Sequence, residues 1–369
     1  MEAIPSPIDI KALTHAELER LLVDDLGQAK FRVKQVEQWL WQKGVGSFDE
    51  MTNLSKDLRA QLAAACTLQL PTIVTRQCSA DGTRKYLVRF ADGIAVETVG
   101  IPSSDGSRLT VCFSTQAGCA MGCTFCATGW GGFTRNLNAG EMVEQVRLVG
   151  SDFERRVTNV VAMGQGEPFA NYDASIEALR RINAELGLGI GARHITLSSC
   201  GIISGIERLA REPEQFTLAI SLHSAIQETR DTIMPGVKAH PLPRLRQALD
   251  EYGQLTGRRP SLEYALMAGV NDSDEHLRSL VDFCSGMLCH VNLIPLNPIK
   301  RDPQADQSYL MEPSARMPEF LRGLEQAGIQ VSLRNSRGSD IDGACGQLIQ
   351  KLAGLDVTNR PPFVISAPL

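Results

Sequence analysis

Apolar residues recur at helical spacing through the first part of the chain. Three stretches repeat them every three or four positions, which is typical of amphipathic helices: residues 15–23, 31–43 and 54–66. A turn-rich connector, GVGSFDEMTN, separates the second stretch from the third. We therefore predict a small helical module in which Trp39 and Trp41 pack the interior. Stacking on a nucleic-acid base is the alternative role for these two rings.

Short strands are predicted next, over residues 72–78, 84–91 and 94–100. The dipeptide Asp92-Gly93, between the last two, is favoured in tight hairpin turns. The polar segment 101–107 follows and marks a boundary. The helical module is thus predicted to lead into a small β extension.

Beyond this boundary, apolar runs alternate with helical stretches. The runs are apolar throughout, as expected for strands buried on both faces: residues 109–114, 157–163, 194–198, 216–222, 261–267 and 290–296. Strands that alternate with helices form parallel sheets. The pattern therefore predicts an α/β fold, a partial (β/α)6 barrel.

Unusual residues stand at or just after the ends of these predicted strands. They are GQGEP (164–168), SSCG (198–201), Ser221-Leu222-His223 and Asn297. Because the carboxyl ends of parallel strands meet at one rim of a barrel, where active sites lie, we expect these residues to converge. Each alone has an ordinary alternative, namely a tight turn, a buried histidine or a strand-end cap.

A cysteine-rich loop follows the first of these strands. Cys119, Cys123 and Cys126 have the spacing C-x3-C-x2-C, with Phe125 before the last cysteine. Three thiolates on one loop can hold three irons of a cubane cluster and leave the fourth iron open for a small molecule. The alternative is a zinc site completed by Cys112, although that spacing fits no common zinc module.

Composition limits the function classes. The chain has 369 residues, 43% hydrophobic and 21% charged, enough for a sizeable core. No apolar run follows a basic start and none approaches a membrane span, so we expect neither export nor membrane insertion. The ten cysteines are then metal-binding, redox or catalytic thiols, and we expect a cytoplasmic protein.

The charge is less decisive. A net charge of −5 argues mildly against a nucleic-acid partner, but a local basic face is enough to bind phosphates. Four basic clusters occur: Lys30, Arg32 and Lys34; Arg84, Lys85 and Arg89; Lys300 and Arg301; and Arg334 and Arg337. Taken alone, each is expected to be solvated surface.

Together, these motifs resemble the RlmN/Cfr family of radical-SAM RNA methyltransferases, where SAM is S-adenosylmethionine. The matching strings, in order, are GCAMGCTFCATG, MGQGEP, SLHS, NLIPLNP and RGSDIDGACGQL. The similarity begins at FRVKQVEQWLW and covers most of the chain. MTNLSKDLR and NLIPLNP are more similar to the RlmN branch than to Cfr.

The resemblance implies roles for individual residues. Cys119, Cys123 and Cys126 would bind a [4Fe-4S] cluster. The implied SAM contacts are Gly166, Glu167, Ser198, Ser221, Leu222, His223 and Asn297. Cys345 would carry a methyl group, Cys112 would resolve the covalent RNA adduct, and Glu97 would accept a proton.

The implied reaction methylates C2 of adenosine in 23S rRNA, at the peptidyl-transferase centre, and in tRNA next to the anticodon. This ring carbon is too electron-poor to attack a sulfonium methyl, so a radical route is needed. The implied reaction uses two SAM molecules per turnover: one methylates Cys345, and the other activates the methyl group on Cys345. A transient Cys112–Cys345 disulfide results, and an external flavodoxin-like or ferredoxin-like donor is required.

The chain departs from the usual family strings in three places. Gln165 stands where relatives often have methionine, and is expected to alter the pocket while leaving Gly166 and Glu167 intact. SSCG (198–201) replaces the commoner STSG, and PGVKAHPLP follows Met234 in place of the usual PIN continuation. Contacts in that last loop do not transfer from the family.

Four regions are predicted: an RNA-binding-like helical module (1–70), a β extension (71–107), a catalytic domain (108–348) and a tail (349–369), in a monomer. The close alternative function is Cfr-like methylation at C8. An alternative of another class is a non-catalytic iron–sulfur or zinc protein that binds RNA. A radical-SAM enzyme for a small molecule is disfavoured by the N-terminal module and the basic clusters.

Overall fold

The computed structural model describes residues 8–299 and 311–348. The predicted tail and the cluster of Lys300 and Arg301 lie outside these residues. Elements are numbered in chain order. None of the helices in the described ranges is long and apolar enough to cross a membrane.

The predicted helices of the N-terminal module are confirmed. The module comprises β1 (Ile8–Asp9), α1 (His15–Arg20), α2 (Phe31–Glu37), α3 (Lys56–Ala65) and β2 (Cys66–Thr67), with π-helical turns at Leu21–Asp25 and Gln38–Lys43. Strands β1 and β2 pair in parallel and bring the ends of the module together. Trp39 and Trp41 are buried, as the packing prediction requires.

Buried polar contacts attach this module to the rest of the chain. Lys11 Nζ lies 2.6 Å from Glu144 Oε1, and both side chains are almost fully buried. Arg181 donates a hydrogen bond to the carbonyl oxygen of Lys11 at 3.0 Å. A Cβ atom on Gly140 would lie 2.3 Å from that same carbonyl oxygen, so the close approach requires glycine there.

Among the described residues, ten strands form one sheet. They are β3 (Thr72–Cys78), β4 (Arg84–Arg89), β5 (Ala95–Pro102), β6 (Leu109–Cys112), β9 (Asn159–Ala162), β10 (Ile195–Ser199), β11 (Thr217–Ser221), β12 (Ser261–Leu266), β13 (His290–Pro295) and β14 (Val331–Leu333). Their spatial order is β14-β13-β12-β11-β10-β9-β6-β5-β4-β3. Strands β7 (Gln116–Gly118) and β8 (Phe133–Asn136) form a separate hairpin beside the cysteine loop.

All six predicted barrel strands are present and parallel, and β14 adds a seventh. Strand β14 is three residues long with a polar centre, so it gave no apolar run to detect. The predicted β extension continues the same sheet, because β5 pairs antiparallel with β6. Gly93, with φ of 86°, forms the turn between β4 and β5.

Helices connect and cover the parallel strands. They are α4 (Ala127–Trp130), α5 (Ala139–Asp152), α6 (Tyr172–Asn183), α7 (Ile203–Leu209), α8 (Gln227–Ile233), α9 (Leu242–Thr256), α10 (Asp274–Cys284) and α11 (Met317–Gln326). One apolar core runs from Leu22 in the N-terminal module through Val111 in the sheet to Phe320 in α11. The sheet and its helices therefore share one interior with the module.

The segment after β14 crosses from one edge of the sheet to the other. It starts beside β13, where the amide N–H of Arg334 donates to Leu293. It then reaches the turn between β3 and β4: the Gly338 amide donates to Asp81 Oδ2 at 3.1 Å and the Ala80 amide to Asp340 Oδ2 at 3.3 Å. This crossing carries residues 338–348 over the barrel rim.

Candidate active site

The three-cysteine loop between β7 and α4 is held tightly by its own backbone. The Cys119 amide donates to Gly132 at 2.8 Å, and the Cys126 amide donates to Cys123 at 3.1 Å. A Cβ atom on Gly129 would lie 2.9 Å from the backbone nitrogen of Cys123. The loop can therefore close this tightly only with glycine at position 129.

The three thiols lie close enough to influence one another. Burial raises the pKa of each thiol, to about 12 for Cys119, and neighbouring thiols add to the effect. Cluster iron must displace these protons, since it binds thiolates. Cubane thiolates bind different irons and need not converge on one point, as zinc ligands do. Among the described residues, no group of three or more His, Cys, Asp or Glu side chains is placed to hold a single metal ion.

A buried cation beside this loop fits an anionic cluster. Arg230 in α8 is fully buried, and its Nε has no hydrogen-bond partner among the described residues. The thiols of Cys200 and Cys123 are the groups that interact with it most strongly. Thiolates bound to a cluster would supply the negative charge that this guanidinium needs, so the donor set and its surroundings fit the group.

The GQGEP turn after β9 is packed against β7. Gly166 has φ of 104°, and a Cβ atom there would lie 2.6 Å from Gln116 Cβ. Gln116 Oε1 in turn accepts the Glu167 amide N–H at 2.9 Å. Glu167 is buried and accepts backbone N–H groups from Phe169 at 2.9 Å and from Cys200 at 2.7 Å. Its carboxylate thus joins the ends of β9 and β10.

Ser198 and Ser221 lie at the carboxyl ends of neighbouring strands. Ser198 is half-buried in β10 and pairs in register with Ala219 of β11. Ser221 is half-buried at the last position of β11, and Leu222 directly after it is fully buried. The predicted convergence of these strand ends at one rim is therefore observed.

His223 is a buried, neutral histidine. Its Nδ1 accepts the amide N–H of Ala265 at 3.0 Å, which places the ring proton on Nε2. Burial and then the charge of Arg230 lower its pKa to about 3. The ring packs edge-on against Phe125 of the cysteine loop, with centroids 4.7 Å apart. This arrangement suits apolar contact and hydrogen bonding rather than proton transfer at neutral pH.

Cys345 is exposed and lies on the crossing segment, which is tied to the cysteine loop. The Ala127 amide donates to Gly346 at 2.7 Å, and Thr128 Oγ1 donates to Leu348 at 2.7 Å. Asn297, after β13, donates to the carbonyl oxygen of Cys345 at 3.1 Å. Cys345 is therefore held at the rim beside the start of α4.

Cys112 is at the end of β6, within electrostatic range of the Cys345 thiol. It is buried among Val99, Leu348 and Met163, and burial raises its pKa to about 12, with the Cys345 thiol contributing. Arg334 interacts with both thiols, and the charge of Cys345 is the largest cause that raises the Arg334 pKa. The two predicted thiols, some 230 positions apart in sequence, thus lie within electrostatic range of each other. Cys112 therefore does not complete a zinc site with the three loop cysteines, since no three such ligands among the described residues are placed around one metal ion.

Glu97 belongs to the same rim through the register of β5. Its carbonyl oxygen accepts Ser114 Oγ at 2.6 Å, directly after β6. Its carboxylate is buried and lies 3.2 Å from Lys85 Nζ, which also donates to the carbonyl oxygen of Asp342 at 3.2 Å. Lys85 thus connects Glu97 to the segment that carries Cys345.

Sequence reasoning missed Lys85, Arg230 and Arg334. Lys85 and Arg334 were expected to be solvated, yet Lys85 is buried and Arg334 interacts with the two thiols. The hairpin register could have revealed Lys85: pairing about Asp92-Gly93 sets Lys85 opposite Val99 and Glu97 opposite Leu87, so the two are diagonal neighbours. No sequence signal distinguishes Arg230.

Comparison with known proteins agrees with this geometry. The family model for the ribosomal RNA large subunit methyltransferase N-terminal domain matches residues 8–68, and the radical SAM superfamily model matches residues 113–284. A crystal structure of a radical SAM methyltransferase from Sphaerobacter thermophilus superposes with a TM-score of 0.84 at 44% identity. It covers 93% of this chain and 99% of that one.

Two curated relatives carry the name "Probable dual-specificity RNA methyltransferase RlmN". The protein from Pelotomaculum thermopropionicum is 46% identical over 348 residues, which cover 94% of this chain and 92% of the relative. The protein from Geobacillus thermodenitrificans is 45% identical over 353 residues, covering 95% and 94%. Because this identity extends through both the helical module and the catalytic part, the chain belongs to the RlmN family of radical SAM RNA methyltransferases, and that membership implies a [4Fe-4S] cluster and S-adenosylmethionine.

Proposed function

We propose that this enzyme methylates C2 of adenosine in 23S rRNA, at the peptidyl-transferase centre, and in tRNA next to the anticodon. One observation carries the proposal: the segment that holds Cys345 is hydrogen-bonded to the end of the cysteine loop, and the Cys345 thiol lies within electrostatic range of Cys112. Methylation by simple displacement needs no such pair of thiols. The names of the relatives, which describe dual specificity, support two RNA substrates.

In the proposed cycle, Cys345 first accepts a methyl group from one SAM on its sulfur. When bound, the cluster and a second SAM supply a radical that removes a hydrogen atom from this methyl. Two SAM molecules are therefore used per turnover. The remaining groups of the site then have to position the base, accept a proton and release the product.

Gly166, Glu167, Ser198, Ser221, Leu222, His223 and Asn297 are proposed to hold SAM. Their positions support this role. Glu167 lies at the ends of β9 and β10, which places a carboxylate at the rim where the ammonium group of SAM would bind. Neutral His223 adds no positive charge that would repel the sulfonium. Asn297 connects the SAM-facing rim to the carbonyl oxygen of Cys345.

Glu97 and Cys112 are proposed to complete the reaction. After the methylene carbon on Cys345 has joined the base, one electron would pass to the oxidised cluster that Cys119, Cys123 and Cys126 would hold, and Glu97 takes the ring proton. The Cys112 thiol, which is protonated at neutral pH because burial raises its pKa, then loses its proton and attacks the Cys345 sulfur as the thiolate. The S–S bond forms as the S–CH2 bond breaks, and the released electron pair goes to the methylene carbon, which gains a proton to become methyl. An external flavodoxin-like or ferredoxin-like donor is needed to supply electrons.

The N-terminal module, residues 1–70, is proposed to bind RNA. The β extension (71–107) and catalytic domain (108–348) are the other functional regions of a cytoplasmic monomer. The match of residues 8–68 to a ribosomal RNA methyltransferase N-terminal domain supports the first of these assignments.

Nucleoside mass spectrometry tests the proposal. A deletion strain is complemented with wild-type protein, Cys345→Ala, Cys112→Ala or Cys78→Ala, and digests of rRNA and tRNA are compared. Cys78 is exposed on β3 and serves as the matched control for loss of an exposed thiol. We expect 2-methyladenosine in both RNAs with wild type and Cys78→Ala, and none with Cys345→Ala.

Cys112→Ala separates the two thiol roles. Without a resolving thiol the S–CH2 bond persists, so we expect RNA covalently attached to Cys345 in this variant only. Methyl at C8 would replace the proposal with the Cfr-like reaction. Wild-type-like behaviour of Cys345→Ala, with no 5′-deoxyadenosine formed under anaerobic reducing conditions, would favour the non-catalytic RNA-binding alternative.

A further inference from the structure

We propose that Arg230 is the countercharge of the iron–sulfur cluster: its buried guanidinium offsets the negative charge of the thiolate-bound cluster and thereby raises the cluster's reduction potential. The inference rests on the radical SAM cluster in the proposed function. It does not depend on which adenosine carbon is methylated.

The position of Arg230 is set by backbone carbonyl groups. Its Nη2 donates to Cys200 at 2.6 Å, and Nη1 donates to His240 at 3.4 Å. Gly201, with φ of 99°, permits this approach, because a Cβ atom there would lie 3.1 Å from Nη2. The guanidinium is therefore held in one place against the end of β10.

That place is directly behind the cysteine loop. The Thr124 amide, next to Cys123, donates to Ile233 at 2.9 Å, one helical turn after Arg230 in α8. Cys123, Cys200 and Ile233 share one small apolar cluster. The guanidinium therefore lies in a region of low dielectric close to a cluster ligand.

The cation has no carboxylate partner. It is fully buried, its Nε is without a hydrogen bond, and it forms no ion pair with any of the described residues. Asp231, the neighbouring acidic group, accepts a hydrogen bond from Gln227 at 2.7 Å. A buried unpaired charge costs several kcal/mol, so it persists only where another group compensates it.

Thiolates on Cys119, Cys123 and Cys126 would provide that compensation. Reduction adds one electron from the external donor to the cluster, so the reduced form is more negative than the oxidised form. A fixed positive charge nearby stabilises the reduced form more, and a low dielectric strengthens the effect. Loss of the charge should therefore make the cluster harder to reduce.

The test is an EPR-monitored redox titration of anaerobically reconstituted, full-length enzyme without RNA. Arg230→Gln keeps a hydrogen-bond donor but removes the charge, whereas Arg230→Lys keeps the charge. We expect a more negative midpoint potential in Arg230→Gln and a near-wild-type potential in Arg230→Lys. Arg181→Met is the matched control, since Arg181 is also buried and bonded to a carbonyl, but lies at the module interface.

Iron content and the unfolding midpoint are measured for every variant. A fully loaded Arg230→Gln protein with the wild-type potential would overturn the proposal and leave Arg230 a structural residue. If Arg230→Gln does not load the cluster but Arg230→Lys loads fully, the need for the positive charge supports the countercharge role. A marked negative shift of the potential in loaded Arg230→Lys protein refutes it. Methylation at another adenosine position would refute the proposed function but leave these potentials unaffected.

Discussion

Gly166 is a residue of the site at which a single added methyl group should do clear harm. Its φ of 104° is a conformation that side chains rarely adopt. A Cβ atom there would lie 2.6 Å from Gln116 Cβ and 2.8 Å from the Gln116 backbone nitrogen. Gly166→Ala therefore introduces both backbone strain and overlap with a strand.

The magnitude follows from these two costs. A residue held in such a backbone region costs about 1–3 kcal/mol, and overpacking in a tight interior costs about 1–3 kcal/mol more. We expect a loss of about 2–6 kcal/mol in the free energy of unfolding. That is a large fraction of the ~5–15 kcal/mol that stabilises a typical protein.

The displacement should also reach the SAM site. Gln116 accepts the amide N–H of Glu167, whose carboxylate accepts the amide N–H of Cys200. Loss of one hydrogen bond to a charged group costs about 1.5–3 kcal/mol. SAM affinity should therefore fall by about 10- to 100-fold if Glu167 shifts out of place.

Gly93→Ala is the matched control. Gly93 also has a positive φ, of 86°, but no heavy atom lies within 4 Å of a Cβ atom built there. Gly93→Ala should lower the free energy of unfolding only by the cost of the strained backbone, and it should bind SAM as the wild type does. Urea unfolding and equilibrium dialysis with SAM measure the two effects. Equal destabilisation by the two substitutions, or wild-type SAM affinity in Gly166→Ala, would refute the reasoning.

Three further predictions concern buried polar groups. Gln165 Oε1 is buried with no hydrogen-bond partner among the described residues; Gln165→Met should therefore raise the free energy of unfolding by about 1–3 kcal/mol in urea titrations, and a decrease would contradict this. The lowered pKa of His223, about 3, means that the unfolded state takes up a proton first as pH falls below about 6.5, so stability is lost below that pH. Between pH 7 and pH 5 the free energy of unfolding of the wild type should fall by about 2 kcal/mol, whereas that of His223→Asn should not, and asparagine tolerates the positive φ at this position. Urea midpoints that change equally with pH in the two proteins would contradict this. Lys11→Met removes one of the two cationic partners of Glu144, which keeps Arg147, and should cost about 1.5–3 kcal/mol in the free energy of unfolding; an unchanged urea midpoint would show that the Lys11–Glu144 pair does not hold the module.

Much of the fold was predictable because its signals are local. Each amphipathic helix of the N-terminal module buries one face, and each barrel strand buries both faces. The resulting patterns of apolar residues are therefore visible directly in the sequence. Strand β14 left no such signal, because its three residues are only partly buried or exposed. The pairing of β5 with β6 was also missed, because the sequence of a strand does not indicate which other strand it will pair with.

The candidate site was predictable only in part. Cys119, Cys123 and Cys126 carry their spacing on one loop, and the strand-end residues converge because parallel strands present their carboxyl ends together. Arg230 and Lys85 are ordinary basic residues in the sequence. Their burial beside Cys123 and Glu97 arises from helix and hairpin packing.

The sequence by itself therefore determined which chemistry is available: three thiolates on a glycine-rich loop, a Gly–Glu turn and two further cysteines. Tertiary structure alone decided how these groups combine. The open sheet leaves its two edges apart, so the segment after β14 has to cross the rim to reach the turn before β4. That crossing brings Cys345 within electrostatic range of Cys112, because chain connectivity and hydrogen bonds across the rim, rather than local residue preferences, fix the position of the segment.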